Sequence, residues 1–154
     1  MKKILYSLLA VLAVTFALVS CGDDDNSGSK HATPPEETFA GTYEGTWTKY
    51  DSDGTTVLAE GQEGVFTVAK GDVSYSAKLT FSDTEDSSAD ASDVVVNIAW
   101  NGDNAKFYTT STSLPVNGEV TTGGLLIAKF SKTVKSGKKT NTYFFAFNGH
   151  KALK

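Results

Sequence analysis

The chain contains no arginine: all 14 of its basic residues are lysines, set against 18 carboxylates. Recognition of phosphate by a bidentate guanidinium is therefore excluded, and a formal charge of −4 argues against a nucleic-acid-binding protein. Cysteine and histidine are limited to Cys21, His31 and His150. A single cysteine excludes an intramolecular disulfide. With so few cysteines and histidines, the sequence shows no pattern typical of a zinc site or of a catalytic triad. We expect a protein that is not an enzyme and holds no metal or other cofactor.

Long hydrophobic runs are absent except at the N-terminus. After the basic start Lys2-Lys3, the 16 residues 4–19 are almost wholly apolar and are followed by an acidic stretch. A membrane-spanning helix needs about 20 apolar residues, so this run is too short to span a bilayer. A basic start before a short apolar run is typical of an export signal, which we predict over residues 1–20.

The tetrapeptide at residues 18–21, Leu-Val-Ser-Cys, resembles the lipobox of bacterial lipoproteins. This resemblance implies cleavage before Cys21 and acylation of its sulfur and new amino group. Because more than one acyl chain anchors a protein stably, we expect a membrane-attached envelope protein. The alternative is an ordinary secretory signal in which the cysteine is coincidental.

Three aspartates, residues 23–25, follow the lipobox-like segment directly. They resemble the acidic export tag of surface lipoproteins from the Bacteroidetes group, which implies a surface-exposed position on the outer membrane. The alternative is a solvated run of charge. Residues 21–38 as a whole combine the acylated Cys21 with serine, proline, glycine and carboxylates, and we predict a disordered acidic tether in which His31 is solvated.

From residue 39 to residue 154, apolar and polar residues alternate with the period of two that is typical of half-buried strands. The clearest alternation runs from Val73 to Phe81. Predicted turns separate the β-rich runs at residues 51–54, 71–72, 101–103, 117–118, 123–124 and 136–137. We predict a single all-β domain, an antiparallel meander of about eight strands closed into a small barrel, because an open sheet of that length would leave two unpaired edges.

The first predicted strand carries a Gly-x-Trp motif at Gly45 and Trp47, preceded by Phe-Ala-Gly-Thr-Tyr at residues 39–43. This motif resembles the opening of the lipocalins and the wider calycin superfamily, and with the lipobox and acidic tag the chain resembles calycin-like lipoproteins of Bacteroidetes. The resemblance implies that Trp47 plugs one end of the barrel. In place of the arginine that stacks on this tryptophan in lipocalins, the chain offers Lys151 or Lys154.

A barrel of about eight strands is either filled by its own side chains or holds one small ligand. The alternation predicts that its interior, and therefore the candidate ligand-binding site, is lined by Tyr43, Trp47, Phe66, Tyr75, Leu79, Phe81 and Trp100. We expect binding of a small apolar or amphipathic molecule. The alternative is a protein-interaction module with a filled barrel, such as an accessory of an envelope complex or an inhibitor of a hydrolase.

Charge is distributed unevenly along the domain. Residues 39–119 hold 13 carboxylates and 4 lysines, whereas residues 120–154 hold seven lysines and no carboxylate. The lysines either protect a late hairpin from edge-to-edge aggregation or meet an anionic surface. The carboxylates of residues 83–93 either form a solvated loop or collect a weakly bound hard cation, although the EF-hand pattern is absent.

Replacement of Cys21 by alanine tests the anchor. We expect Cys21→Ala to abolish acylation and to release the protein from membranes, because Cys21 is the sole thiol of the chain. Mass spectrometry of the intact protein together with membrane fractionation measures both effects. A variant that still carries lipid, or that stays as firmly bound, contradicts the lipoprotein assignment.

Overall fold

The computed structural model describes residues 31–109 and 111–153, so the predicted signal, Cys21 and the aspartates 23–25 lie outside the described residues. The described part contains one four-residue helix, one 3₁₀ helix and eight strands. These elements are α1 (Pro35–Thr38), β1 (Gly41–Tyr50), β2 (Val57–Lys70), β3 (Ser76–Asp83), the 3₁₀ helix (Ser87–Ala89), β4 (Ala91–Asn101), β5 (Asn104–Tyr108), β6 (Val116–Val120), β7 (Leu125–Ser136) and β8 (Lys139–Lys151). In these residues no helix is long and apolar enough to cross a membrane.

Each strand pairs antiparallel with the next one in sequence, and β1 pairs with both β2 and β8. The prediction of an all-β antiparallel meander of eight strands is therefore confirmed, and the sheet closes into a ring. Because strand direction alternates around the ring, its connections lie alternately at two ends. The N-terminal end carries α1 and the hairpins at residues 71–75, 102–103 and 121–124; the distal end carries the hairpins at 51–56 and 137–138 and the connections at 84–90 and 109–115.

Five of the six predicted turns coincide with observed connections, but the turn at residues 117–118 is wrong. Asn117 and Gly118 lie inside β6, paired with Tyr108 and Phe107 of β5. A Cβ at Gly118 would overlap the Phe107 ring, so this glycine serves side-chain packing rather than chain reversal. The chain reverses instead at residues 109–115.

The fold begins ahead of the predicted boundary at residue 39. Pro35 and Glu36 of α1 are buried, and a carboxylate oxygen of Glu36 accepts a hydrogen bond from the backbone N–H of Tyr75 at 3.0 Å. The compact unit accordingly runs from His31 onward. Residues 31–38 are therefore not part of a disordered tether, because the burial of Pro35 and Glu36 and the hydrogen bond from Tyr75 hold this short segment against the ring.

Three glycines on neighbouring strands form a row across the sheet. Gly45 of β1 pairs with Gly64 of β2 on one side and with Gly149 of β8 on the other. A Cβ on Gly45 would overlap the Asn148 carbonyl oxygen, and one on Gly64 would overlap the Trp47 indole. The row allows the strands to approach closely and leaves room inside the ring for the largest side chain of the core.

Substitution in this row tests its role in the packing of the ring. We expect Gly45→Ala to lower the free energy of unfolding by about 1 to 3 kcal/mol or more, because the added methyl group meets backbone that cannot move independently. Chemical denaturation measures the change. Gly123→Ala is the matched control: its Cβ would have ordinary contact with Thr121 Oγ1 at 3.6 Å, and we expect a change within about 0.5 kcal/mol. Equal effects at the two positions contradict the packing argument.

Candidate functional site

Five of the seven predicted interior residues lie inside the ring. Their side chains are at most 2% exposed, and they belong to a single core cluster. These residues are Tyr43, Trp47, Phe66, Leu79 and Phe81. The prediction holds for them because each lies on the inward side of a strand whose apolar residues alternate with polar ones.

Trp47 is fully buried at the centre of an aromatic cluster. Its indole N–H donates a hydrogen bond to the Ser82 carbonyl oxygen at 3.0 Å, so the polar edge of the ring is satisfied. Four phenylalanine rings surround the indole at centroid distances between 4.8 and 6.3 Å: Phe66, Phe81, Phe130 and Phe147. These rings also contact one another, so the middle of the ring is filled by side chains of the protein itself.

The phenolic hydroxyl of Tyr43 donates to the Phe39 carbonyl oxygen at 2.8 Å, joining β1 to the segment that precedes it. Burial raises the pKa of Tyr43 to about 12. The expected partner of Trp47 among the C-terminal lysines is not observed in the described residues. The Lys151 ammonium lies 5.9 Å from the centre of the Tyr43 ring instead, and Lys154 lies outside the described residues.

The prediction that Tyr75 faces the interior is wrong. Tyr75 is 56% exposed and has a φ of 58°, a left-handed conformation that tyrosine rarely adopts. The physical reason is that β3 begins at Ser76, so the alternation that appears to start at Val73 includes turn residues. Val73 is 68% exposed as well.

Trp100 also faces inward, since it pairs with the buried Ala105, but it lies at the N-terminal end of the ring and is only partly buried. The His31 imidazole stacks on its indole with centroids 3.6 Å apart and planes 11° apart, and the His31 ring nitrogen Nε2 bonds to the Gly102 carbonyl oxygen at 3.0 Å. Phe39 contacts the same indole edge-on. The prediction of a solvated His31 is therefore wrong, and no local sequence pattern marks this contact, because its partner lies about 70 residues away in the chain.

Polar side chains line the inner wall of the ring at its distal end. This region, the distal mouth, comprises Lys49, Gln62, Asp83, Lys132 and Tyr143. Lys49 pairs with the buried Phe145, and Lys132 pairs with Tyr143. Because paired residues of neighbouring strands share a face, both lysines face inward. The sequence analysis missed this region, since an inward lysine is indistinguishable from a solvated one until the register is known.

Residues 84–90, here called the strap, fold across the distal mouth. The Lys49 ammonium donates to Asp86 Oδ2 at 2.5 Å and to Ser88 Oγ at 3.1 Å. It also lies 4.4 Å from the centre of the Tyr143 ring. On the other side of the mouth, Lys132 donates to the Asp90 carbonyl oxygen at 2.5 Å. The strap is thus attached to β1 and β7, and its Ala89 is fully buried against the core.

The carboxylates of this region serve as hydrogen-bond acceptors for the strap itself. Asp83 Oδ1 accepts from the backbone N–H groups of Glu85 and Asp86, and Asp90 Oδ1 accepts from the backbone N–H of Asp83. Within the described residues, no group of three or more His, Cys, Asp or Glu side chains could hold a metal ion. The arrangement therefore supports a structured loop over the alternative of a cation site.

Two buried oxygens of the distal mouth, Gln62 Oε1 and Asp83 Oδ2, have no hydrogen-bond partner among the described residues. Buried acceptors without donors are rare in folded proteins and are normally satisfied by water or by a bound group. Together with the ammonium groups of Lys49 and Lys132, they make the distal mouth the most polar part of the ring interior.

The lysine-rich hairpin formed by β7 and β8 extends beyond its neighbours. In the described chain, β6 pairs with β7 only as far as Phe130, so one edge of β7 from 131 to 136 has no strand beside it. Lys132 and Lys135 lie on this edge. Lysines are effective in preventing edge-to-edge association of strands. This geometry therefore supports protection of the hairpin from aggregation over contact with an anionic surface.

The attachment of the strap is predicted to depend on Lys49 and on pH. Burial acts to raise the pKa of Asp86, but hydrogen bonds from Lys49 and Ser88 outweigh it and hold the pKa below the ordinary value of 3.8. A lowered pKa contributes stability that is present at neutral pH and is lost as the pH falls through the folded-state pKa. We expect Lys49→Met to destabilise the closed strap by about 1 to 2 kcal/mol, measured by hydrogen exchange of residues 84–90 at pH 7.

Lys78→Met is the control. The Lys78–Asp72 ion pair is largely exposed, and its loss removes no contact with the strap. We expect no change in strap exchange in this variant. Only when the pH falls below the lowered folded-state pKa of Asp86 should the native strap and the Lys49→Met strap converge in protection. Equal protection of both chains at pH 7 would show that Lys49 does not hold the strap.

Comparison of the chain with protein-family models, with curated proteins and with solved structures finds no match. The resemblance to calycins therefore depends on the residues and geometry of this chain alone.

Proposed function

We propose that this protein is a lipid-anchored lipoprotein of the outer membrane that acts by binding and not by catalysis, with a calycin-like barrel as a rigid scaffold. We further propose that it binds a protein partner through its exterior. The observation that carries this choice is the filled interior: Trp47 and the four phenylalanines around it are at most 3% exposed and in contact with one another, and Tyr43 is fully buried as well. Of the two alternatives raised by the sequence, this packing favours the interaction module.

A ligand in the middle of the ring would have to displace several aromatic rings at once. Protein cores are packed as densely as organic crystals, and inserting even single methylene groups costs about 1 to 3 kcal/mol. The Trp47 indole is also fixed by its hydrogen bond to Ser82. Interior binding therefore carries a cost that exterior binding avoids.

The exterior of the distal end offers an apolar row for such a partner. Val57, Tyr50 and Phe144 occupy paired positions on β2, β1 and β8. Val57 and Phe144 are 43% and 38% exposed, and the adjacent Leu58 is 49% exposed. Exposed apolar side chains that are contiguous across strands are typical of protein-binding surfaces. The hairpin at 51–56 borders this row, since a Cβ added to Gly54 would lie 3.8 Å from the Phe144 ring.

A small acidic amphiphile is the second candidate, and the distal mouth is the observation that favours it. Lys49 and Lys132 both face inward and are occupied by oxygens of the strap. A carboxylate or phosphate head group presents the same kind of acceptor. Such a ligand would replace Asp86 at Lys49 and leave the aromatic interior intact.

Titration of the unacylated Cys21→Ala chain with long-chain fatty acids and lysophospholipids separates the two candidates. In a Trp100→Phe background, Trp47 is the only tryptophan of the chain. Because its indole is buried, we expect its fluorescence emission at short wavelength. We expect no saturable change in emission for the interaction module. Binding of one molecule per chain that is lost in Lys49→Met would instead establish the amphiphile as the ligand.

A second experiment tests the apolar row formed by Tyr50, Val57 and Phe144 on the exterior. A photo-crosslinking amino acid at residue 144 should capture a protein partner on intact cells, whereas the same amino acid at the exposed residue 95 of β4 serves as control. Equal capture at both positions, or at neither, contradicts the assignment of the row.

A further inference from the structure

The hairpin at residues 71–75 places two apolar side chains in solvent at the N-terminal end of the ring. Val73 is 68% exposed and Tyr75 is 56% exposed. The described C-terminus lies at the same end, because Ala152 donates its backbone N–H to the Thr42 carbonyl oxygen, and the adjacent Leu153 is fully exposed. This end therefore exposes apolar groups on two separate segments.

The hairpin is held rigidly and is attached to the segment that leads towards the N-terminus. Ser76 Oγ donates to the Val73 carbonyl oxygen at 2.7 Å, which closes the turn. The buried Glu36 accepts a hydrogen bond from the backbone of Tyr75, and Glu37 pairs with Lys70 at 2.5 Å. The exposed tip and α1 are thus one unit.

The distance between this unit and the predicted anchor is short. Only the nine residues 22–30 separate Cys21 from His31, and His31 is fixed to Trp100 at the N-terminal end. Cys21 and His31 are ten Cα–Cα steps apart, so a fully extended chain between them spans at most about 35 Å. The 13 residues of β8 measure about 40 Å along the strand, and the tilt of strands in a closed ring shortens this to about 30 Å along its axis. Only a fully extended tether could therefore run along the domain and present the distal end to the bilayer, whereas every other conformation keeps the N-terminal end nearer to the anchor.

We propose that the N-terminal end of the ring lies against the bilayer, with Val73 and Tyr75 inserted at the level of the lipid head groups. This inference depends on the acylation of Cys21 contained in the proposed function. Tyrosine suits this level because its ring is apolar and its hydroxyl remains hydrated. The distal end, with its apolar row and its strap, then faces away from the membrane.

The charges around the hairpin indicate which kind of lipid surface it meets. Lys70 pairs with Glu37, and Lys78 pairs with Asp72 at 2.9 Å, so both lysines next to the tip are neutralised. The hairpin itself therefore has no excess of positive charge for anionic lipids. Contact is consequently apolar, and we expect it in zwitterionic vesicles and at high salt.

Introduced cysteines test this orientation. Because the sulfur of Cys21 is consumed by acylation, Ser74→Cys and Ser52→Cys each provide one free thiol, at exposed positions in hairpins at opposite ends of the ring. Each full-length acylated variant is labelled with a polarity-sensitive nitrobenzoxadiazole dye and reconstituted into phosphatidylcholine vesicles containing nitroxide-labelled lipids. We expect blue-shifted, quenched emission for the label at residue 74 and water-like, unquenched emission at residue 52.

The double variant Val73→Ser/Tyr75→Asn supplies the matched control. Asparagine tolerates the left-handed conformation at residue 75, so the hairpin keeps its backbone while its apolar tip is lost. We expect quenching at residue 74 to fall at least severalfold in this background, with an unchanged thermal melting curve.

Two failures are distinguishable in this experiment. If mass spectrometry finds no acyl chains and the protein does not bind vesicles, the proposed anchoring is wrong. If the protein is acylated and bound but the label at residue 74 stays in water, or if both labels respond equally, the anchoring stands and the proposed orientation is overturned.

Discussion

The close approach of β1 to β2 and β8 is the constraint on which the rest of the molecule depends. Gly45, Gly64 and Gly149 lie in one row, and side chains there would overlap backbone or the Trp47 indole. The space they leave is filled by Trp47 and its surrounding phenylalanines. Closure of the ring and filling of its interior are therefore two results of the same packing.

The two ends of the ring are closed by polar contacts of different origin. At the N-terminal end, residues 31–40 contact the ring through the His31–Trp100 stack and the Glu36 carboxylate. At the distal end, the strap is attached through two inward lysines. Hydrogen bonds from Lys49 and Ser88 hold the pKa of Asp86 in the strap below its ordinary value, so acid weakens the attachment of the strap at the distal end.

These features together describe a rigid body with two distinct ends. The short chain from Cys21 to His31 and the exposed tip at Val73 and Tyr75 support a membrane-facing role for the N-terminal end under the proposed anchoring. The distal end carries the apolar row, the lysine-rich hairpin and the strap. A partner that approaches from outside the membrane would meet these groups first, which is why the interaction role and the orientation are consistent with one another.

The sequence by itself determined the class of fold and most of its core, because alternation with a period of two reports directly which side of a strand is buried. Trp47, Phe66 and Phe81 were placed correctly for this reason. Register and long-range contact were decided only by the tertiary structure. Tyr75 belongs to a turn that alternation cannot detect, and Gly118 packs under a ring from the neighbouring strand. Lys49 became an inward, strap-binding residue through its pairing with β8, since an isolated lysine carries no information about the face on which it lies.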